Sequence, residues 1–239
     1  MINAQPVVVF GENGRMARAM QAAIADTRDL ALVATVPARA GDRSAIVDAL
    51  SATPDNAIVF DFTHPDAQSK LVAALDHAPR KLVTGTSGLD ACAEQRLRQL
   101  SSRVAVMRGR NFCLGAVMAR QLIELLGRYA KGWDAAVHDL HHARKHDPIS
   151  ATARDWAAAW QSGTSGRTAG ISATRLGDGI SEHLLMAAGS GERVEISHKI
   201  LSIDAPTAGA IAGARFLTDK TVGLFDPGHM LSESRDPDG

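Results

Sequence analysis

Residues 139–152 read DLHHARKHDPISAT, which puts His141, His142, Lys145, His146 and Asp147 within seven positions. An imidazole changes protonation near neutral pH, so a histidine here can hold and release a proton. An ammonium beside it can bind an anion or stabilise negative charge as it develops. The preceding segment, 133–140, is punctuated by apolar residues and is expected to be a strand delivering this run to a site. A strand end feeding a polar loop is where α/β proteins carry out chemistry. HHxxK also describes a solvated basic loop, so the elements around it must decide.

The chain begins with a β-branched run at 7–10, then GENGRMA at 11–17, then an alanine-rich helical segment at 15–25. Strand, glycine turn and helix form a phosphate-binding turn, because the helix N-terminus offers backbone N–H groups to a pyrophosphate. Gly11 allows the tight turn, Gly14 the close approach of phosphate, and Ala17 close helix packing. Asn13 stands where the motif has its middle glycine, and Arg15 and Met16 open the helix. A second strand at 30–36 ends in Val36, Pro37, Ala38 and Arg39, with Arg43 following. No carboxylate stands there for the ribose hydroxyls, and an arginine does, which favours NADPH with NADH as the alternative. Strands at 57–61, 81–84 and 104–107 alternate with helices at 65–76 and 90–101. Such alternation means parallel βαβ units, with strand-end loops rimming one crevice. Those loops carry Phe62, the GTSG of Gly85, Thr86 and Ser87, and the GRNF of Gly109, Asn111 and Phe112.

Beyond a helix at 114–129 and a short helical segment at 155–161, the pattern changes to successive strands at 169–176, 182–188 and 193–200. A helix at 207–218 follows. The expected fold is α/β, a Rossmann-like dinucleotide-binding domain (1–112 and 207–239) plus an α+β domain with an open, mostly antiparallel sheet (113–206). The second domain is assigned to substrate binding and oligomerisation.

Composition excludes other classes. Lys+Arg and Asp+Glu are 26 each, so no global field recruits nucleic acid or an anionic membrane, and 4% aromatic residues make a poor base-stacking platform. The sequence has no apolar run of bilayer length and no secretory signal, so a cytoplasmic protein is expected. Cys92 and Cys113 lack metal spacing and are read as reduced packing residues, with no metal expected.

With GENGRMA, DFTHP, GTSG, RNFCLG and HHARKHD in this order, and SEHLLMAAGSGERVEISHK (181–199) and GLFD (223–226) beyond them, the chain resembles dihydrodipicolinate reductase. That family comprises the NAD(P)H enzymes of lysine and diaminopimelate biosynthesis. The resemblance covers nearly the whole chain. It implies that His141 is a general acid and that Lys145 binds and polarises a cyclic imine, with His142 contacting substrate. It also implies that GTSG, with Ser87, lies between nicotinamide and substrate, that Phe112 lies beside the nicotinamide, and that the protein is a homotetramer assembled through the C-terminal sheet. A shortened segment after Thr152 leaves a dimer as the alternative.

The family's DAPSGTA corresponds to Asp147, Pro148, Ile149, Ser150, Ala151, Thr152 and Ala153, where Ser150, Ala151 and Thr152 would hold a substrate carboxylate. Ala151 replaces a glycine and Ile203 lies where an arginine is lost, so the carboxylate nest is expected to be disturbed and a dicarboxylate to bind weakly. The implied reaction is NAD(P)H-dependent reduction of a cyclic α,β-unsaturated imine carboxylate. Two other readings stay open, a diverged paralogue reducing a related imine outside lysine biosynthesis, and a noncatalytic NADP-binding protein.

Overall fold

In the computed structural model, which describes residues 4–38, 43–178 and 181–233, the valine run of 7–9 lies within β1 (Gln5–Phe10), and five of that strand's six residues are buried. A strand covered on both faces needs such a continuous apolar run. Helix α1 (Arg15–Ala25) turns Ala17, Met20 and Ile24 inward, the spacing of one helical face. After β2 (Leu30–Val36) comes α2 (Arg43–Ser51), a helix the sequence reading passed over. It has nine residues and buries only Ile46 and Leu50, too little periodicity to stand out. Then follow β3 (Ile58–Asp61), α3 (Pro65–Leu75) with proline in its first turn, β4 (Lys81–Thr84), α4 (Ala91–Ser101) and β5 (Ala105–Arg108). Asp90 caps α4, its carboxylate accepting from the Ala93 N–H at 2.7 Å.

The chain divides into two units, Met1–Phe112 with Pro206–Gly239, and Cys113–Ala205. The second unit begins with α5 (Leu114–Tyr129) and continues through β6 (Asp134–His141), α6 (Ala151–Gly163), β7 (Gly170–Arg175), β8 (Glu182–Gly189) and β9 (Glu192–Lys199). Its four strands run in the order β7-β6-β8-β9. Two pairings, β6 with β8 and β8 with β9, are antiparallel, while β6 and β7 are parallel because α6 is the crossover between them. One face of this sheet packs Val137, Leu185 and Ala187 against Trp156 and Trp160 of α6. Helix α6 starts four residues before the expected position, since Ser150 caps it and the polar DPISAT segment runs straight into its first turn.

The chain returns to the first unit through α7 (Asp204–Leu217), followed by β10 (Gly223–Phe225) and α8 (Pro227–Glu233). Pro206 lies inside the first turn of α7 rather than ahead of it, where a missing N–H costs nothing. Gly209 of α7 sits so close to the backbone that a Cβ there would strike the Phe112 carbonyl. The six strands of this unit are all parallel, in the order β10-β5-β4-β3-β1-β2, with apolar clusters on both faces. The order reverses at β1, and in doubly wound sheets the crevice at such a switch point takes the ligand.

The two cysteines differ. Cys113 is buried, and burial pushes its thiol up to about 11. Cys92 is exposed and is not a packing residue, because it falls on the outer face of α4, which turns Leu97, Leu100 and Ser101 inward. No helix among the described residues is long and apolar enough to cross a membrane.

Candidate active site

At the C-terminal ends of β1, β2 and β3 lies a cavity of about 440 Å³, lined by Gly11, Glu12, Asn13, Gly14, Pro37, Ala38, Phe62, Thr63 and His64. Gly11 has φ +91°, a conformation that excludes most side chains, and its N–H donates to the Val36 carbonyl at 2.8 Å. Gly14 is the N-cap of α1, and no side chain caps that helix. The positive end of α1 therefore meets the cavity with backbone donors, the arrangement that binds a pyrophosphate. Asn13 is exposed and donates to Glu12 Oε1 at 3.0 Å, Arg15 is exposed, and Met16 is half-buried. Among the described residues no carboxylate stands at the end of β2. Arg39 lies outside the described residues, and Arg43 is exposed at the start of α2.

The next loops are tied together by Asp61, a buried carboxylate at the end of β3 that the sequence reading did not assign. Its Oδ1 accepts from the Thr63 hydroxyl at 2.6 Å and the Thr63 N–H at 3.2 Å, and its Oδ2 from the hydroxyls of Thr84 at 2.7 Å and Thr86 at 2.9 Å. Burial pushes this carboxyl up, against the lowering effect of those bonds. Above it, Phe62 and Phe112 meet edge to face, with centroids 5.3 Å apart. A Cβ at Gly85 would collide with the Phe62 ring and one at Gly109 with the Phe112 ring, so both glycines make room for this aromatic wall. Thr86 is buried, Asn111 half-buried and Ser87 exposed.

In the second unit His141 is the last residue of β6 and is buried, and His142 is half-buried. The Lys145 backbone N–H donates to the His142 carbonyl at 3.1 Å, closing a tight turn, and Lys145 Nζ lies 3.2 Å from Asp147 Oδ2. His146 is exposed. The Ser150 hydroxyl accepts from the Ala153 N–H at 3.1 Å, which places Ala151 and Thr152 in the first turn of α6. Ala151 is thus helical, and Ser165 is the one non-glycine residue with positive φ among those described. Ala151 therefore takes an ordinary helical backbone and needs none of the conformational freedom of a glycine here. Ile203 is half-buried.

Three residues beside His141 went unassigned in the sequence reading. Asp139 shares a strand face with His141, two residues on, and lies opposite His183 of β8, while Arg175 of β7 lies opposite His141. Asp139 Oδ1 is 3.0 Å from His141 Nδ1 and 3.4 Å from His183 Nε2. The His141 contact is close but off the line of a good hydrogen bond, and it acts through charge. Burial by itself would push the Asp139 carboxyl up, but His141, His183 and Ser150 outweigh it and hold the group well below the usual carboxylate range. Donor atoms of Asp139, His141 and His183 fall within 4.8 Å of one another, a spread that a metal could use. Arg175, 3.1 Å from Asp139, already supplies the positive charge there, so we read the cluster as a carboxylate–histidine hub rather than a metal centre.

Comparison with known proteins yields matches across the chain. Residues 5–112 match the family model described as dihydrodipicolinate reductase, N-terminus, and residues 115–231 the model for its C-terminus. The 4-hydroxy-tetrahydrodipicolinate reductase of Paraburkholderia phymatum is 33% identical over 205 residues, covering 77% of each chain. That of Xanthomonas euvesicatoria pv. vesicatoria is 29% identical over 231 residues, 93% of this chain and 96% of the relative. Among solved structures, the dipicolinate-bound dihydrodipicolinate reductase from Paenisporosarcina sp. TG-14 superposes with a TM-score of 0.74 at 17% identity, covering 94% of this chain and 98% of that one. The fold likeness reaches further, to the DAP dehydrogenase of C. glutamicum, with a TM-score of 0.56 at 10% identity over 100% and 97% of the two chains.

Proposed function

The chain belongs to the dihydrodipicolinate reductase family, and from that membership we propose that it is an NAD(P)H-dependent reductase of a cyclic α,β-unsaturated imine carboxylate of the dihydrodipicolinate type. The observation that carries this reading is the presence in one chain of an uncapped helix N-terminus at a sheet switch point and a buried histidine four residues before a lysine. Unit Met1–Phe112 with Pro206–Gly239 is assigned the dinucleotide, and unit Cys113–Ala205 the substrate.

Gly11, Asn13, Gly14, Arg15 and Met16 would take the pyrophosphate, and Phe62, Gly85, Thr86, Gly109, Asn111 and Phe112 the nicotinamide end. A bound nicotinamide supplies the hydride that adds to the β carbon of the conjugated imine. The Lys145 ammonium, placed beside the imine nitrogen and a neighbouring carboxylate, stabilises the negative charge that arrives at that nitrogen. His141 donates a proton to the carbon beside the reduced one, which converts the enamide anion left by the hydride to the neutral imine product, its ring C=C bond now saturated. Ser150, Ala151 and Thr152 set the positive end of α6 against a substrate carboxylate, with His142 and Ser87 completing the contacts.

Freshly generated dihydrodipicolinate with each cofactor tests the reaction and its finer preference together. NADPH oxidation is expected at lower cofactor concentration than NADH oxidation, since among the described residues no carboxylate stands at the end of β2, and Arg39 and Arg43 lie in the segment after it. Equal or reversed preference removes the role given to the arginines, and no oxidation with either cofactor refutes the reaction.

For assembly we propose a homotetramer, with a dimer as the alternative. The outer face of the β7-β6-β8-β9 sheet carries half-buried Leu140, Leu184 and Met186, which a second copy would cover. A monomeric mass by light scattering at micromolar concentration rules out both. We assign the protein to the cytoplasm, a compartment that keeps free thiols such as Cys92 and Cys113 reduced.

A further inference from the structure

Asp139 is fully buried, and a buried carboxylate persists only where partners replace the water it has lost. Its two oxygens have different partners. Oδ2 accepts from the Ser150 N–H at 2.8 Å and from Arg175 Nη2 at 3.1 Å. Oδ1 faces the imidazoles of His141 and His183. Arg175 is anchored in turn, because Nη2 also donates to the carbonyls of Asp147 at 2.8 Å and Pro148 at 3.1 Å, and Nη1 to that of Asp139 at 3.2 Å. His183 is fixed from the other side, with Nε2 3.2 Å from the Ser150 hydroxyl and its ring packed on Trp156 and stacked on His198. Around Oδ2, then, stand an amide N–H and a guanidinium, donors that cannot reverse their role.

We infer that Asp139 is a positioning residue for proton transfer: the negative charge of its Oδ1, 3.0 Å from His141 Nδ1, favours the tautomer with the proton on that nitrogen, so that Nε2 exchanges a proton with substrate, while its Oδ2 is bonded to the start of α6. This rests on the reading of His141 as proton donor. A neutral imidazole has one N–H, and the partner of the first nitrogen dictates which one that is. The hub also ties the donor to the helix end assigned to the substrate carboxylate, since one carboxylate contacts both the His141 ring and the Ser150 amide.

Asp139→Asn discriminates this role from a purely structural one. The Ser150 N–H and Arg175 both donate toward the Oδ2 position, so the asparagine must turn its carbonyl there and leave its NH2 group where Oδ1 stood. A donor then faces Nδ1 of His141, which becomes an acceptor, and the neutral ring carries its proton on Nε2.

Ring ¹⁵N–¹H correlation spectra of the full-length, histidine-labelled protein at neutral pH read this directly. Neutral His141 is expected to be protonated on Nδ1 in the wild type and on Nε2 in Asp139→Asn. The variant's kcat should fall about ten- to a hundredfold, within what a positioned acid contributes, with KM for NADPH unchanged. A wild-type ring protonated on Nε2 overturns the inference without any variant, so the test survives if Asp139→Asn does not fold. A folded Asp139→Asn protein that keeps the wild-type tautomer also overturns it, even where His141→Ala is inactive and the donor reading stands. Reversal of the tautomer with undiminished turnover in both Asp139→Asn and His141→Ala overturns the donor reading, and the inference falls with it.

Discussion

His141→Ala is expected to lower kcat for the imine by at least about a hundredfold, because proton transfer by a positioned acid is typically worth roughly a hundred- to ten-thousandfold. NADPH affinity should stay within about twofold of wild type, since the proposed dinucleotide contacts all come from other loops; a twofold change is roughly 0.4 kcal/mol. Lys145→Ala should lower kcat comparably but also raise KM, because the ammonium is assigned both to binding the imine carboxylate and to stabilising the charge that develops on it. Its partner Asp147 is more than half exposed, so little desolvation opposes a swing of Lys145 toward substrate. Steady-state kinetics with calorimetric titration of NADPH separates the two effects. Wild-type turnover in both variants would reduce HHxxK to a structural loop.

The second large effect is expected in dicarboxylate binding. Pyridine-2,6-dicarboxylate, a planar mimic of the proposed substrate, should lose about ten- to a hundredfold in affinity in Lys145→Ala and in Thr152→Val, since a hydrogen bond to a charged group is worth about 1.5 to 3 kcal/mol. Ala151→Gly is the informative control. If a glycine conformation were needed to hold the carboxylate, this change would tighten binding. Because Ala151 is helical, affinity should stay within about twofold and thermal stability should fall slightly, as glycine is less favourable than alanine in a helix by up to about 1 kcal/mol. A clear gain in affinity from Ala151→Gly would mean that the bound state needs a backbone other than this helix start. Titration calorimetry in the presence of NADPH reads all three variants.

Much of this molecule is legible along the chain because the signals are local. The valine run of β1, the spacing of Ala17, Met20 and Ile24 on α1, and the apolar period of α5 each lie within one element, and a period of two or 3.6 residues states the element type directly. The glycine turn between β1 and α1 is equally local, as are the HHxxK residues at the end of β6. Ordered motifs from GENGRMA to GLFD were enough to indicate the family that the matches at 5–112 and 115–231 establish.

What escaped the sequence depends on contacts between distant residues or on a weak local signal. Helix α2 buries too few apolar residues to announce itself, and the start of α6 is set by one serine cap inside a polar run that reads as a loop. The surroundings of His141 could not be read at all. Arg175 stands 36 residues from Asp139 and Ser150 stands 11 away, and only the parallel register of β6 with β7 and the antiparallel register of β6 with β8 bring Arg175 and His183 to the same carboxylate. Asp61 is a similar case, since its threonine partners sit on two different strand ends. Residue types and spacing determined which groups could do the chemistry. Tertiary structure decided which nitrogen of His141 faces a carboxylate and that Ala151 needs no unusual backbone, because burial makes each remaining polar partner obligatory and strand register selects which partner it is.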